Sequence, residues 1–295
     1  ARIITEEHGK LLSDARGEVT RGMEVVEFAC GIPHLLKGGY SEGVSRGVDV
    51  HSVRQPLGTV AIISPFNFPV MVPLWFAPVA IAAGNSVVLK PSEQDPSSAN
   101  LLADMWREAG LPEGVFTVLH GGRETAEALI THPSIKAVSF VGSTQVARHV
   151  YETGTSHGKR VQALGGAKNH MLVLPDADLD LAADAVIGAA YGSAGGRCKA
   201  FSALLVVDTV ADALVERITK RIGGLRTGDG RRDVDMGPLV SAAHRDRVLS
   251  YIDAGQKEGA EVVADGRDIT PDGSDGGYWV GPTLLDGVTP DMSVY

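Results

Sequence analysis

Cys198 is the residue whose type and setting most directly allow covalent chemistry. It lies in the glycine-rich segment Tyr191–Ala200, whose small residues predict an accessible sulfur, and the adjacent Arg197 and Lys199 favour the thiolate form. A buried, inert thiol is the ordinary alternative for a lone cysteine, but the apolar neighbours that this requires are absent here. Cys30 has such neighbours at the apolar end of a predicted helix, and we expect it to be buried and inert.

A side-chain amide, Asn67, follows a predicted strand in the segment SPFNFP of residues 64–69. The two prolines fix the path of the chain as it leaves the strand. A turn asparagine that satisfies its own backbone is the favoured interpretation from the residues alone. The alternative is an amide that donates to the oxyanion developing on a substrate carbonyl.

Charged and hydroxyl side chains follow two further predicted strands. Lys90 directly follows one of them, and Glu93 comes three residues later. This pair is either an exposed salt bridge or a ribose-binding pair, in which the carboxylate would repel a 2′-phosphate and so favour NAD over NADP. After Gly142, Ser143 opens a predicted helix; it is either a plain N-cap or the N-terminus that binds a pyrophosphate. The usual G-x-G-x-x-G fingerprint is absent.

Alternating strands and helices must hold these segments in place. Short β-branched runs predict strands at 59–63, 86–89, 115–119, 137–141 and 171–174, with helical patterns between them, including 97–109 and 125–130. A second alternating block predicts helices at 178–191, 210–222 and 242–258 and a strand at 203–207. This order predicts an α/β fold with a parallel sheet. The break near Gly165 divides the chain into domains 1–165 and 166–295.

Composition excludes several classes of protein. The 295 residues suggest about two domains. A net charge of −9 argues against nucleic acid and anionic membranes as main partners. Two cysteines indicate a reducing, cytosol-like compartment. The sequence contains neither the H-x-x-x-H nor the C-x-x-C spacing of a metal site. The longest apolar stretch, Val70–Ala83, is too short to span a bilayer, which takes about 20 residues.

Five segments in order, PFNFP, LKPSE, FVGSTQVA, LGGAKN and GGRCKA, resemble the aldehyde dehydrogenase superfamily over essentially the whole chain. The resemblance implies an unusual Rossmann-type NAD-binding domain over 1–165 and part of an α/β catalytic domain over 166–295. It also implies a strand of an oligomerisation ribbon at about residues 45–57. A homo-oligomer, either a dimer or a homotetramer, is therefore expected.

The resemblance also implies residue roles. Cys198 would be the nucleophile, and Asn67 with the backbone N–H of Cys198 would form the oxyanion hole. Arg197 and Arg21 would bind a substrate carboxylate, although a plain surface arginine is an equally good interpretation of Arg21. The residues implied to bind NAD are Ser64, Phe66, Lys90, Glu93, Gln94, Ser143 and Gly165.

One departure from the family pattern decides the expected reaction. Most of the superfamily has Glu-Leu-Gly-Gly, whose Glu activates the deacylating water, whereas this chain has Ala163 at the Glu position. A methyl group accepts no proton, so hydrolysis should be poor. The chain therefore resembles the acylating branch, in which coenzyme A accepts the acyl group, and most of all the methylmalonate-semialdehyde dehydrogenase type. Gly196 departs from the charged residue expected there before Arg-Cys.

The function that this resemblance implies is NAD-dependent, coenzyme A-acylating oxidation of methylmalonate or malonate semialdehyde to propionyl- or acetyl-CoA with loss of CO2. The alternatives are a hydrolytic semialdehyde dehydrogenase and a non-catalytic binding relative. A family segment, Glu-Ile-Phe-Gly-Pro, is expected just after Tyr295, so we expect the chain to be incomplete at both ends. The expected location is the cytoplasm, or the mitochondrial matrix in a eukaryote.

Overall fold

The computed structural model describes residues 1–269, 271 and 276–295, and these divide into two units. One unit is Arg16–Gly166, and the other combines Ala1–Ala15 with Ala167–Tyr295. The sequence analysis put its boundary at residue 165 and assigned residues 1–15 to the first domain. Residues 1–15 instead group with the second unit, and the functional names of the two domains stay predictions.

Helices and strands alternate along most of the chain, and we number them in chain order. They are α1 Arg2–His8, α2 Leu12–Cys30, α3 Ile32–Leu35, β1 Tyr40–Ser45, β2 Val48–His51, β3 Thr59–Ile63, α4 Met71–Ala82, β4 Ser86–Lys90, α5 Ser97–Glu108, β5 Phe116–Val118, α6 Arg123–Thr131, β6 Ile135–Val141, α7 Thr144–Ser156, β7 Arg160–Leu164, β8 Asn169–Val173, α8 Leu179–Val186, β9 Phe201–Val206, α9 Asp208–Ile222, α10 Ala242–Glu258, β10 Glu261–Ala264 and β11 Leu284–Asp286. A π-helical turn, Ile187–Tyr191, and a 3-10 turn, Gly192–Gly195, continue α8.

The unit of residues 16–166 contains a five-stranded parallel sheet in the order β5-β4-β3-β6-β7. The chain therefore builds outward from β3 in one direction, returns, and builds outward in the other direction from β6. In such doubly wound sheets the ligand-binding crevice lies at the carboxyl ends of the two central strands, where the order reverses. Here those strands are β3 and β6. The predicted α/β class is confirmed.

The strands β3, β4 and β6 are largely buried on both faces, which explains their nearly continuous apolar sequences, whereas β7 alternates between exposed and half-buried residues. Alternate residues of β3 point to opposite faces. Ala61 and Ile63 join a cluster with Ile130 and Val150 from α6 and α7. The other face of β3 contributes to a second apolar cluster, which includes residues of α4 and α5.

In the second unit, β8 and β9 form a parallel pair and β10 and β11 an antiparallel pair. Val173 packs with α8 and α9 in an apolar core that includes Leu214 and Ile218. Gly9 ends α1 with φ +90, and a Cβ there would lie 2.5 Å from Pro238. This close approach, which only glycine allows, is one reason that residues 1–15 belong to this unit.

Several predicted elements differ from those observed. The predicted helix that ends at Cys30 is α2, and a separate short helix, α1, precedes it and ends at the left-handed backbone of Gly9. The strand expected within residues 45–57 is observed at Val48–His51, where it pairs with β1 in an antiparallel hairpin and is exposed throughout. The sequence analysis did not assign α4, whose apolar sequence contains Pro73 and Pro78, nor β7. Within the described residues, no helix combines the length and apolar character needed to cross a membrane.

Candidate active site

The carboxyl edge of the five-stranded sheet brings together residues from three of the predicted motifs. In the parallel register Ile63 lies opposite both Lys90 and Phe140. The Ser64 N–H donates to the Lys90 carbonyl at 3.1 Å, and the Gly142 N–H extends the ladder onto β7. The ends of β3, β4 and β6 therefore lie level at the position where a doubly wound sheet binds its ligand.

Ser64 is the residue at this edge that points most directly to a ligand. Its side chain is buried, and its Oγ has no hydrogen-bond partner among the described residues. A buried hydroxyl without a partner costs free energy, which an acceptor or donor on a bound ligand would recover. Phe66 is half-buried in the same connection, while Gln94 is exposed and donates its backbone N–H to the Ser92 Oγ at 3.1 Å.

Lys90 and Glu93 form the expected pair, but the two side chains differ in their surroundings. The Lys90 ammonium is buried and donates to the carbonyls of Pro91 and Gly121, both at 2.7 Å. The Glu93 carboxylate lies 3.5 Å away and is 64% exposed. The backbone carbonyls thus fix the lysine, while the carboxylate remains accessible to a diol from solution.

The N-terminus of α7 provides the third part of the edge. Ser143 caps it, accepting the Val146 N–H at 3.5 Å, so the plain N-cap interpretation holds and leaves the other first-turn N–H groups at the helix end. A Cβ on Gly165 would lie 3.1 Å from the Thr144 Cα, so glycine permits the approach of the β7 end to this helix. These residues fit a pyrophosphate, which backbone N–H groups at a helix N-terminus bind well.

Asn67 is half-buried and lies four residues before α4 begins, and a residue absent from the sequence analysis holds the start of that helix. The buried Glu18 of α2 accepts the N–H groups of Val70 and Met71, at 2.8 and 3.1 Å, at the start of α4. A carboxylate suits this position because it satisfies helix N–H groups and complements the dipole. The start of α4, and with it the segment that carries Asn67, is held by α2.

Ala163 lies on β7 opposite Phe140 of β6. Its methyl group is half-buried and packs against the apolar cluster beneath the sheet, the cluster that contains Val150. The Ala163 side chain therefore has apolar surroundings.

Arg21, one of the two residues predicted to bind a substrate carboxylate, is 70% exposed and pairs with Glu24 at 2.9 Å, as a surface arginine would.

Cys198 is an exposed free thiol in a turn of the second unit, in agreement with the expected accessibility. The turn runs from Arg197 to Ala200, whose N–H donates to the Arg197 carbonyl at 3.1 Å. Ser193 and Ala194, just before it, have φ values of 52 and 50, in the left-handed region that residues other than glycine rarely adopt. Such strain, next to a π-helical turn, is typical of functional segments. The expectation for Cys30 is wrong: it too is exposed.

Arg197 is anchored within its own unit. Its guanidinium forms an ion pair with Asp14 and donates to the Gly188 carbonyl at 3.1 Å. A Cβ on Gly192 would lie 2.8 Å from the guanidinium, so this glycine gives the arginine its room. Asp14 already supplies one carboxylate to the arginine that was predicted to bind another, and the sequence analysis did not include Asp14.

The described residues contain no group of three His, Cys, Asp or Glu side chains that could hold a metal ion. Two sets of polar groups have been located, one at the sheet edge and one in the Cys198 turn. They suit a dinucleotide at the sheet edge and a nucleophilic thiol in the Cys198 turn.

The model of the aldehyde dehydrogenase family matches residues 1–295. The chain belongs to this family. The resemblance inferred from the five motifs is thereby confirmed. Among curated relatives of this aldehyde dehydrogenase chain, the malonate-semialdehyde dehydrogenase of Pseudomonas aeruginosa is 54% identical over 297 residues. Malonate-semialdehyde dehydrogenase 1 of Oceanobacillus iheyensis is 52% identical over 296 residues.

Solved structures of aldehyde dehydrogenases have the same fold. A putative methylmalonate-semialdehyde dehydrogenase from Sinorhizobium meliloti, complexed with NAD, is 49% identical and superposes with a TM-score of 0.98 over 100% of this chain and 60% of that one. Methylmalonate-semialdehyde dehydrogenase from Oceanimonas doudoroffii is 50% identical with a TM-score of 0.98, over 100% and 61%. The chain covers 60% and 61% of the two curated relatives, against 100% of its own length.

Proposed function

We propose that the protein containing this chain oxidises malonate or methylmalonate semialdehyde with NAD and transfers the acyl group to coenzyme A. The observation that carries the acylating part is Ala163, an apolar residue at the position of the family's water-activating glutamate. The names of the relatives at 54% and 52% identity support the substrate class. The buried Ser64 hydroxyl and the NAD complex of the 49% identical structure support the cofactor.

The proposed chemistry begins at Cys198, whose thiolate attacks the aldehyde carbon. Asn67 and the Cys198 backbone N–H are the proposed donors to the oxyanion; one such donor is typically worth about 10²–10³ in rate. Bound NAD supplies the hydride acceptor. Loss of hydride leaves a thioester on Cys198, which coenzyme A thiolate then attacks as the cysteine thiolate leaves. Loss of the substrate carboxylate as CO2 leaves a carbanion that takes a proton.

Cofactor selection and substrate recognition belong to the same proposal. Ser64, Phe66, Lys90, Glu93, Gln94, Ser143 and Gly165 are the proposed NAD-binding residues. Arg197 and Arg21 are the proposed carboxylate-binding residues because a guanidinium binds a carboxylate through two parallel hydrogen bonds. For Arg197 the substrate would share the guanidinium with Asp14, and for Arg21 it would replace Glu24.

The exposed hairpin of β1 and β2 is the proposed oligomerisation element. Its valines Val44, Val48 and Val50 are each about half exposed, which is costly for apolar side chains that face water. A homo-oligomer, dimer or tetramer, would cover them. Sedimentation of the intact protein tests this, and the valine-to-threonine variants of the hairpin should lower the oligomeric state if the proposal holds.

The test of the proposed function is NADH formation by the intact protein with a panel of semialdehydes and uncharged aldehydes, with and without coenzyme A. We expect carboxylate-bearing semialdehydes to react best. Without coenzyme A, one equivalent of NADH should form rapidly, followed by slow turnover that coenzyme A accelerates. Rapid steady turnover without coenzyme A would instead establish the hydrolytic alternative. No NADH with any aldehyde would support a non-catalytic relative.

A further inference from the structure

The side chain of Asn169 contacts the turn that carries Cys198. Its Nδ2 donates to the Cys198 carbonyl and to the Ala200 carbonyl, both at 2.9 Å. The two acceptors also settle the orientation of the amide, because the Asn169 side-chain oxygen could not face two carbonyl oxygens. Both protons of one amide are therefore used on one turn.

Asn169 is itself held by the sheet. It is the first residue of β8 and lies opposite Phe201 in the parallel pair with β9. The Ser202 Oγ donates to its backbone carbonyl at 3.5 Å. The amide thus connects a strand, which is rigid, to an exposed turn that is otherwise closed by the hydrogen bond from Ala200 to Arg197.

We propose that Asn169 is a positioning residue for the nucleophile: its two hydrogen bonds fix the peptide planes after Cys198 and Ala200 and so fix the direction of the Cys198 side chain. This rests on the proposed role of Cys198. The amide is suited to the task because its two N–H groups diverge and reach two carbonyls. Aspartate has no proton to donate, serine has one, and alanine has none.

Removing both hydrogen bonds should lower the rate of thioester formation much more than the affinity for NAD. A displacement of about 1 Å at a reacting group can cost about 100-fold in rate, and we expect a loss of this order in Asn169→Ala. Asn169→Ser, which retains one donor, should lose less. Asn100→Ala is the matched control, since Asn100 is exposed on α5 and hydrogen-bonds only to an exposed histidine among the described residues.

The experiment has two readouts on the intact protein. The first is the rate of the NADH burst with a semialdehyde, beside the dissociation constant for NAD. The second is alkylation of Cys198 by iodoacetamide as a function of pH, resolved by peptide mass spectrometry with the exposed Cys30 as internal reference. In Asn169→Asp, a carboxylate against the Cys198 carbonyl should raise the midpoint of the Cys198 profile by up to about one pH unit and leave that of Cys30 unchanged.

An unchanged burst rate in Asn169→Ala, or a Cys198 profile in Asn169→Asp that matches the wild type, would overturn the proposal. If Asn169→Ala does not fold, the burst rate of Asn169→Ser decides in the same way. The alkylation profile requires no turnover. A wild-type protein that forms no NADH therefore contradicts the proposed function, while the Asn169→Asp profile still tests the geometry.

Discussion

The edge of the five-stranded sheet and the Cys198 turn achieve order by different means. At the sheet edge, strand ends are level because the parallel register makes them so, and Ser64 follows its strand directly. The Cys198 turn has no such ladder, and single side chains hold it instead. The Asn169 amide donates to the carbonyls of Cys198 and Ala200, and Asp14 forms an ion pair with Arg197. A site on a strand end is fixed by backbone hydrogen bonds, whereas a site on a turn depends on single side chains that a mutation can remove.

The largest expected effect comes from removing Cys198, the proposed nucleophile of the turn. Cys198→Ala should lower NADH formation by at least about 10³-fold because no other group replaces the thiolate. The affinity for NAD should stay nearly unchanged, since the sheet edge remains intact. Cys30→Ala, which removes an equally free and exposed thiol, is the control. Retained turnover in Cys198→Ala would end the covalent mechanism.

Ala163→Glu tests whether the sheet edge can be given the missing base. General-base catalysis typically contributes about 10²–10⁴-fold, and we expect the lower end for hydrolysis of the thioester because the carboxylate must leave an apolar surrounding. The measurement is the slow phase after the NADH burst without coenzyme A. Ala163→Gln has nearly the same size and no base, so an equal acceleration there would argue against general-base catalysis.

Glu18→Ala tests the side-chain support of the sheet unit. It leaves two buried N–H groups at the start of α4 without their acceptor, which should cost about 2–3 kcal/mol in the free energy of unfolding. Denaturant titration measures this. Glu18→Gln keeps an acceptor and should lose less, and Glu27→Ala, on the exposed face of α2, should change little. Equal stability of Glu18→Ala and Glu27→Ala would contradict a stabilising role of Glu18 at the start of α4.

His8 tests whether residues 1–15 belong to the unit that contains Cys198. Burial, with the nearby charges of Lys10 and His244, lowers the pKa of His8 from 6.5 to about 3. Below pH 6.5, His8 binds a proton in the unfolded chain but not in the folded chain. The free energy of unfolding therefore decreases as the pH is lowered from 6.5 to about 3. At pH 5 the loss is about 2 kcal/mol.

The measurement is the difference in the free energy of unfolding between pH 7.5 and pH 5. In His8→Gln this difference should shrink by about the same 2 kcal/mol, since the group that titrates is gone. The exposed His34→Gln is the control. An unchanged difference in His8→Gln would mean that His8 is protonated in the folded protein.

The two regions also differ in how far the sequence predicts them. The strands β3, β4 and β6 were predicted because a strand buried on both faces has a continuous β-branched run, and the motif residues follow directly at their ends. The supports were missed because each acts across a long stretch of chain: Glu18 on Val70, 52 residues away, and Asp14 on Arg197, 183 residues away. No local pattern signals which distant carboxylate a helix end or an arginine will meet.

Glu93→Gln is the smallest change and the one that tests the sheet edge most specifically. The carboxylate is mostly exposed, so its ion pair with the Lys90 ammonium at 3.5 Å contributes little to stability. The variant should therefore fold as the wild type does. A neutral amide accepts a hydrogen bond from a ribose hydroxyl more weakly than a carboxylate does, and it no longer repels a 2′-phosphate. We expect the preference for NAD over NADP to fall by about tenfold, measured as the ratio of kcat/KM for the two cofactors. Glu108→Gln, at the exposed end of α5, is the control. If both variants keep the wild-type ratio, Glu93 has no part in ribose recognition, and the selectivity of the edge must come from its backbone and its buried Ser64 and Lys90.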